Sequence, residues 1–385
     1  MKTVYLDSNA TTQIAPEVLD AMMPFLTEHW GNPSSMHVFG GGVKKYVEAA
    51  REQVAALVGA ADAQEITFTS CGSESNNLAI CGGAEAMDKP PHLITSKVEH
   101  AAVLGPCQYL EDRGMRVTRI NVDELGNLDM DEFRREVSTG GRTLTSIMWA
   151  NNETGVVFPI EEIGNAVHEF GGVFHTDAVQ MVGKSPIKIS SLPVDMLSLS
   201  GHKIFAPKGI GAIYIRRGTK VKPLIYGGHQ ERGRRAGTEN VPYIVGLGKA
   251  CELALKNMND EQTRVKAMRD RLEKGILATC AGARVNGDLK NRLPNTTNIS
   301  FEFIEGESIL LMLDDRGICV STGSACASGS LEPSHVLRAM NVPGTALHGS
   351  IRFSLSVYNT DEDIDEALRV MPGVVKRLRE LSPFV

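Results

Sequence analysis

The sequence has no cysteine pair in C-x-x-C spacing, no long apolar run and no block of basic residues. After its first clear β-run it also lacks G-x-G-x-x-G. The seven cysteines (Cys71, Cys81, Cys107, Cys251, Cys280, Cys319 and Cys326) are odd in number and scattered. That argues against a disulfide framework, a zinc knuckle and a non-enzymatic cluster scaffold. Charged residues make up 22% and the formal net charge is −6, so no basic face exists to track a phosphate backbone and nucleic acid is not an expected partner. The start, MKTVYLDSNATT, has no apolar signal-like core, and no later stretch is long enough to span a bilayer. The expectation is a protein with no membrane partner and a cytoplasmic location. Without G-x-G-x-x-G after Ile66–Thr69, a dinucleotide-binding oxidoreductase is disfavoured. At 385 residues the chain can bury large cores, in two or three domains.

What is present is an alternation of apolar runs and helical patterns. Val43, Tyr46, Val47, Ala50, Val54, Leu57 and Val58 fall on one face of a helix predicted over 43–58, which Gly59 stops. The β-rich Ile66–Thr69 leads into Ser70-Cys71-Gly72-Ser73-Glu74-Ser75 and then a helix start at Leu78. Strand, small polar turn and helix start present free N–H groups to an anion, phosphate above all; a plain serine-rich helix cap is the alternative. Further short strands are predicted at His92–Ser96, Val117–Val122, Leu144–Ala150, Val173–Thr176 and Met196–Ser200. The alternation indicates an α/β domain with a mostly parallel sheet whose polar strand ends form the site. Just past those strands stand Glu99 and His100, then Asn151-Asn152-Glu153, then His175, Asp177 and Gln180, then Ser200, His202 and Lys203. In LSLSGHKIFAPKGIG, Lys203 follows a buried strand end and a tight turn. It is either an exposed loop charge or a partly desolvated amine able to form a Schiff base.

The basic stretch ERGRRAGTEN (231–240) reads as an ordered loop with no role assignable from sequence. A domain boundary is expected near 259–261. It is followed by an amphipathic helix (Val265, Met268, Leu272, Ile276), strands at 298–303, 317–321 and 350–357, and a last helix capped by Thr360 and kinked by Pro372. This gives a large domain over 16–260 and a smaller α+β domain from 1–15 and 261–385. Within the latter, residues 321–332 form a small-residue loop, pliable by its glycines, that displays Cys326. Cys319, between Ile318 and Val320, is expected to be a buried small hydrophobe. Nothing near Cys326 could bury it, and a thiol displayed on such a loop suits attack on a substrate held elsewhere.

Taken together, LDSNATT, GNPSSMH, TSCGSESNN, VEH, MWANNETG, HTDAVQ, SGHK, RRAGTEN, STGSACASGSLEPSH and IRFSL, in this order, resemble the cysteine desulfurases. These are class-V aminotransferase relatives with the pyridoxal-phosphate fold type I (aspartate-aminotransferase-like). The long cysteine loop, the wording MWANNETG and GGHQERGRRAGTEN, and an end soon after the last helix are similar to the nitrogen-fixation (NifS-like) type. The resemblance implies L-cysteine as substrate, pyridoxal 5'-phosphate as cofactor, a homodimer, and an Fe–S scaffold or other protein as sulfur acceptor. It implies that Lys203 holds the cofactor as an imine and that Gly72, Ser73, Ser200 and His202 bind its phosphate, with Thr238 reaching in from a second subunit. Asp177 would pair with the ring nitrogen, Gln180 with the phenolic oxygen, and His100 would stack on the ring and relay protons. Asn152 would contact cofactor or substrate, Arg352 would clamp the substrate carboxylate, and Cys326 would take the sulfur as a persulfide. No resident metal is implied, only a transient Fe–S contact through Cys326. A selenocysteine lyase, or another pyridoxal-phosphate enzyme of this fold, is the alternative. Two positions depart from the family's usual pattern: Ser8 stands where asparagine is frequent, and Ser73, which keeps the hydroxyl, where threonine is.

Overall fold

The computed structural model describes residues 3–139, 141–322 and 332–382. Twelve strands are named in chain order among them. These are β1 (Val4–Tyr5), β2 (Ile66–Thr69), β3 (His92–Ser96), β4 (Val117–Ile120), β5 (Thr143–Ser146), β6 (Val173–Asp177), β7 (Met196–Ser200), β8 (Gly211–Ile215), β9 (Ala283–Asn286), β10 (Thr296–Phe301), β11 (Ile318–Cys319) and β12 (Ser350–Ser354). Seven form one sheet in the order β2-β8-β7-β6-β5-β3-β4. Pairs from β7 through to β4 are parallel, while β8 runs antiparallel to both β7 and β2. Strands such as MLSLS and TLTS are buried at every position. Their Ser and Thr carry no charge, so they tolerate a sheet covered on both faces.

Helices Ala101–Glu111 and Ile160–Glu169 make the crossovers between the parallel neighbours β3 and β4 and β5 and β6, while Met130–Ser138 carries the chain from β4 across β3 to β5. Because β3 has β4 on one side and β5 on the other, the sheet changes its direction of growth there. The crevice at the carboxyl ends beside such a point is where ligands bind in open parallel sheets. The predicted helix over 43–58 forms as Lys44–Val58, stopped by Gly59 at φ 66°. That left-handed conformation suits glycine, and a Cβ there would also come within 2.8 Å of the Ile187 carbonyl oxygen.

Two expected strands end early for visible reasons. Past Ser146 the chain still bonds to β6, Ile147 N–H to the His175 carbonyl and Trp149 N–H to the Asp177 carbonyl, but toward β3 the N–H of Met148 turns to the Glu99 carboxyl group, 3.0 Å from both oxygens. The ladder of β4 stops at Ile120. Val122 instead bridges Leu128 across a reversal at Gly126, φ 82°.

A second hydrophobic core gathers Val4, Leu6, Leu272, Ile276, Phe301, Phe353 and the inner face of the helix Asp361–Leu381. It rests on the antiparallel sheet β12-β10-β9 and the parallel pair β1-β11. Thr360 caps the last helix with a reciprocal capping box, and the helix continues across Pro372. No linker separates the cores at 259–261, because helix Val241–Asp260 passes through one π turn, Glu261–Val265, into helix Lys266–Thr279. The short helix His335–Ala339 packs on the first core through Val336 and Leu337. Cys319 departs from expectation. Strand alternation turns Ile318 and Val320 inward, and Cys319 between them is only partly covered.

Candidate active site

A cavity of about 320 Å³ opens at the carboxyl ends of β6 and β7, and ten of the residues singled out from sequence line it: Gly72, Ser73, His100, Asn152, Asp177, Gln180, Ser200, His202, Lys203 and Arg352. Lys203 ends one turn of 3-10 helix directly after β7. The turn is tight enough that a Cβ on Gly201 would sit 2.9 Å from Ile210 and 3.0 Å from Ala206. Lys203 Nζ donates to the carbonyls of Asn9 and Ala10, both at 2.7 Å. The amine is thereby held on the cavity wall by the N-terminal segment, and the solvated-loop reading of Lys203 fails. Phe205 follows at φ 66°, an uncommon backbone state for a bulky residue, its N–H fixed by Thr12 Oγ1 at 2.9 Å.

Asp177 closes β6. Its Oδ2 accepts from Asn76 Nδ2 at 2.6 Å and its Oδ1 from the Val179 N–H at 3.0 Å. Two of its roughly four lone-pair sites are thus filled, and the others can accept from a cavity ligand. His100 caps the helix Ala101–Glu111, its Nδ1 accepting the Ala102 N–H at 3.0 Å. That bond fixes the ring proton on Nε2. Burial, aided by the positive charges of Lys203 and His335, holds the imidazole below its usual pKa against the pull of Asp177. His202, with Nδ1 on Thr11 Oγ1 at 3.1 Å, is pushed down to about 4 by burial and by Lys203 and Lys208. Both rings are therefore neutral at pH 7.

The helix beginning at Gly72 runs through a π turn to Glu85 and aims its N-terminus at the cavity. Added to Gly72, a Cβ would sit 2.9 Å from Val179 and 3.4 Å from Ser200 Cβ, so only glycine leaves this cradle open. Beside it Ser200 Oγ is fully buried with no protein partner, a cost that a bound acceptor would remove. Free helix N–H groups, an orphan hydroxyl and an open cradle together fit a phosphate. On the opposite side Arg352, on β12, donates Nη2 to Asp7 Oδ1 at 2.6 Å and Nη1 to the Asn152 carbonyl at 3.1 Å. Its Nε is buried without a partner. Gln180 donates Nε2 to Asn9 O at 3.0 Å, and its Oε1 too is orphaned.

One expected site residue lies elsewhere, and another is not among the described residues. Thr238 is exposed and outside this chain's own cavity. Cys326 lies outside the described residues. The chain on either side of it is described: Ser321 exchanges backbone hydrogen bonds with Arg352, and Ser334 caps the helix His335–Ala339. The stretch at 231–240, given no role from sequence, is anchored in the protein. Glu231 is buried and accepts from Arg51 Nη1 and Nη2 at 2.8 and 2.9 Å and from the Phe68 N–H at 2.9 Å.

Sequence reasoning missed Asn9 and Asn76. Asn9 is almost fully buried. Its carbonyl holds Lys203 and Gln180, its Nδ2 reaches Thr296 Oγ1 at 2.9 Å and the Asn152 carbonyl at 3.2 Å, and its Oδ1 accepts from Asn295. Its partners stand 143 to 345 positions away, the farthest being Ser354 Oγ, which accepts its N–H, so no local pattern could reveal it.

A lysine on the turn after a strand, an aspartate ending the neighbouring strand, an open helix start and a buried arginine converge on one cavity of an α/β fold with a mostly parallel central sheet, the fold of the class-V aminotransferases. The chain belongs to the aminotransferase class-V family, matched over residues 4–367, and this family comprises pyridoxal-phosphate enzymes. It is 59% identical over 384 residues to a cysteine desulfurase of Nostoc sp. (strain PCC 7120), covering 100% of this chain and 96% of the relative. It is 54% identical to the cysteine desulfurase NifS of Azotobacter vinelandii, over 100% of this chain and 95% of that one. A solved NifS-like protein superposes with a TM-score of 0.92 at 39% identity, over 98% of this chain and 100% of the other.

Proposed function

We propose that this chain is a pyridoxal-phosphate-dependent cysteine desulfurase that converts L-cysteine to L-alanine, passes the sulfur to Cys326 as a persulfide and supplies it to Fe–S cluster assembly serving nitrogenase. The observation that carries this reading is the cavity itself, where Lys203, Asp177 and Arg352 converge while Ser321, five residues before Cys326, is hydrogen-bonded to the backbone of Arg352. Four residues from Thr322 to Cys326 span at most roughly 14 Å, so the thiol is tethered close to whatever Arg352 holds.

When bound, pyridoxal phosphate withdraws electrons from the substrate α-carbon. Lys203 would hold the cofactor covalently through Nζ and, once released, the same amine would take the α-proton. Gly72, Ser73, Ser200 and His202 would hold the phosphate. Asp177 would keep the ring nitrogen protonated, Gln180 would pair with the phenolic oxygen, and Asn152 would contact cofactor or substrate. His100, neutral with its proton on Nε2, would stack on the ring and donate and recover that proton. Arg352 pairs with the substrate carboxylate, the charge-assisted fork that guanidinium favours. The Cys326 thiolate attacks the sulfur of L-cysteine, so an S–S bond forms as the Cβ–S bond breaks. The carbon keeps the bond's electron pair and is protonated. L-Cysteine plus Cys326–SH thus becomes L-alanine plus Cys326–S–SH, with carbon reduced, sulfur oxidised and no external reductant.

The working unit is a homodimer. Trp30, Met36, Val38 and Tyr226 are large apolar side chains left exposed, as a surface covered by a second copy would be. Thr238, exposed and outside its own cavity, would enter the partner's. The six described cysteines are free, as expected in the reducing cytoplasm, and among the described residues no helix is long and apolar enough to cross a membrane.

The test is product release from L-cysteine, L-selenocysteine and L-alanine supplied separately. Alanine and sulfide from cysteine, with both lost in Cys326→Ser, are expected. Selenide release unaffected by Cys326→Ser, with no turnover of cysteine, would establish the lyase reading instead.

A further inference from the structure

The upstream end of the segment that carries Cys326 is hydrogen-bonded to the cavity-wall residue Arg352, and the downstream end is fixed by Glu153 and Glu99, which lie outside the wall and which the reaction above does not use. Ser334 is almost fully buried. Its Oγ accepts the N–H groups of Val336 and Leu337 at 3.1 and 3.3 Å, capping the helix His335–Ala339. With its acceptor sites given to the cap, its single hydrogen is left to donate, and it goes to Glu153 Oε2 at 2.5 Å. Glu153, also buried, directly follows Asn152, and its N–H is held by Asn151 Oδ1 at 2.9 Å. Its carbonyl accepts from Asn298 Nδ2 at 3.4 Å. The next residue makes a second tie, His335 Nε2 meeting the Glu99 carbonyl at 2.9 Å, one residue before His100.

We propose that Glu153 is a positioning residue for sulfur transfer: by holding Ser334 it fixes the downstream root of the Cys326 segment against the loop that carries Asn152. The inference rests on Cys326 being the sulfur acceptor. Its physical basis is tether geometry. Cys326 is eight residue steps from Ser334, a maximum span of roughly 28 Å. A root free to shift by an ångström or more spreads the thiol's positions and lowers the fraction in line with the substrate sulfur. Glu153 makes no contact of its own with the cavity, and Arg352 already has Asp7 and the Asn152 carbonyl as partners. The Glu153 carboxylate does feel the charge of Arg352, and Glu153→Gln removes that charge while keeping the bond to Ser334, so a loss of transfer in Glu153→Ala beyond that in Glu153→Gln belongs to the tether.

The experiment uses cofactor-loaded full-length enzyme in five forms: wild type, Glu153→Gln, Glu153→Ala, Ser334→Ala and the Glu153→Ala/Ser334→Ala double variant. Two quantities are read. One is the single-turnover rate at which added sulfur appears on the Cys326 peptide, by rapid quench and mass spectrometry. The other is the affinity for L-cysteine, by absorbance titration of the bound cofactor. Each alanine variant should lose on the order of tenfold to a hundredfold in transfer rate, with cysteine affinity within about twofold of wild type. The double variant should be no slower than the slower single one, because the Glu153–Ser334 bond is already absent from each single variant, and the helix cap that Ser334→Ala also removes is lost equally in the double one. Glu153→Gln keeps an acceptor for Ser334 and should transfer within a few-fold of wild type. Should Glu153→Ala fold poorly, Ser334→Ala and Glu153→Gln still decide the matter. Multiplicative losses in the double variant, wild-type transfer in Ser334→Ala, or a loss confined to cysteine affinity would each overturn the inference. Absence of sulfur on Cys326 in wild type would overturn the functional reading beneath it.

Discussion

Asp177→Asn is the substitution whose consequences the structure defines most closely. The change is isosteric, and the surroundings can absorb it. Val179 N–H still needs an acceptor, so the new amide keeps its oxygen there and places its NH2 where Oδ2 faced Asn76. Asn76 can rotate its own amide, whose Oδ1 is buried without a partner in the wild type, and so accept from that NH2. The fold therefore loses little. The ring nitrogen of the cofactor, however, now meets a neutral amide instead of a carboxylate. A hydrogen bond to a charged group contributes about 1.5–3 kcal/mol, and each 1.4 kcal/mol is a factor of ten in rate, so turnover should fall by roughly 10- to 150-fold. Alanine formation under saturating cysteine and cofactor gives the rate, and a thermal melt checks that the fold is kept. Turnover within twofold of wild type, with cofactor bound, would refute the pairing of Asp177 with the ring.

Three further outcomes follow. Lys203→Ala should abolish covalent cofactor attachment, so borohydride should label no lysine in the variant and Lys203 in the wild type; label on Lys208 or Lys184 would misplace the site. Glu231→Ala takes the bidentate partner from the buried Arg51 guanidinium, leaving it Glu48 at 3.3 Å and the Ile66 carbonyl, and should cost about 3 kcal/mol in urea unfolding, whereas Arg51→Met with Glu231→Leu should recover most of it; an unchanged midpoint in Glu231→Ala would show that the pair is not holding 231–240 in place. His175, hydrogen-bonded between Ser146 and Ser198, is pushed down to about 3 by burial. The unfolded chain therefore binds a proton near pH 6.5 that the folded chain refuses, and stability falls with pH, by about 2 kcal/mol between pH 7 and 5 from this group. Glu99 and Glu153, raised by burial to about 8 and about 7, act oppositely, their contribution being lost as pH rises. The His175 effect is accordingly read as the difference from His175→Asn, whose loss over that window should be smaller by about 2 kcal/mol; equal slopes would contradict it.

The parallel strands were legible because a sheet covered on both faces demands short uncharged apolar runs, as at Met196–Ser200. The polar residues after them were legible because such sheets place their sites there. What stayed hidden depends on distant partners. Gly211–Ile215 was not recognised as a strand, since its glycine-rich approach resembles a turn and its antiparallel place beside β7 and β2 is set by the whole sheet. Glu231 looked like part of a solvated charge run because its partner Arg51 is 180 positions away. Cys319 was misjudged because three apolar neighbours in sequence alternate between two faces in a strand.

The central claim is that sulfur leaves L-cysteine for Cys326. It is tested most directly by brief exposure of the cofactor-loaded wild-type enzyme to L-cysteine, followed by alkylation, digestion and mass spectrometry. One added sulfur, removable by a thiol reductant, is expected on the peptide containing Cys326. Added sulfur found mainly on Cys319 or Cys71, or none on any cysteine while alanine forms, would contradict it.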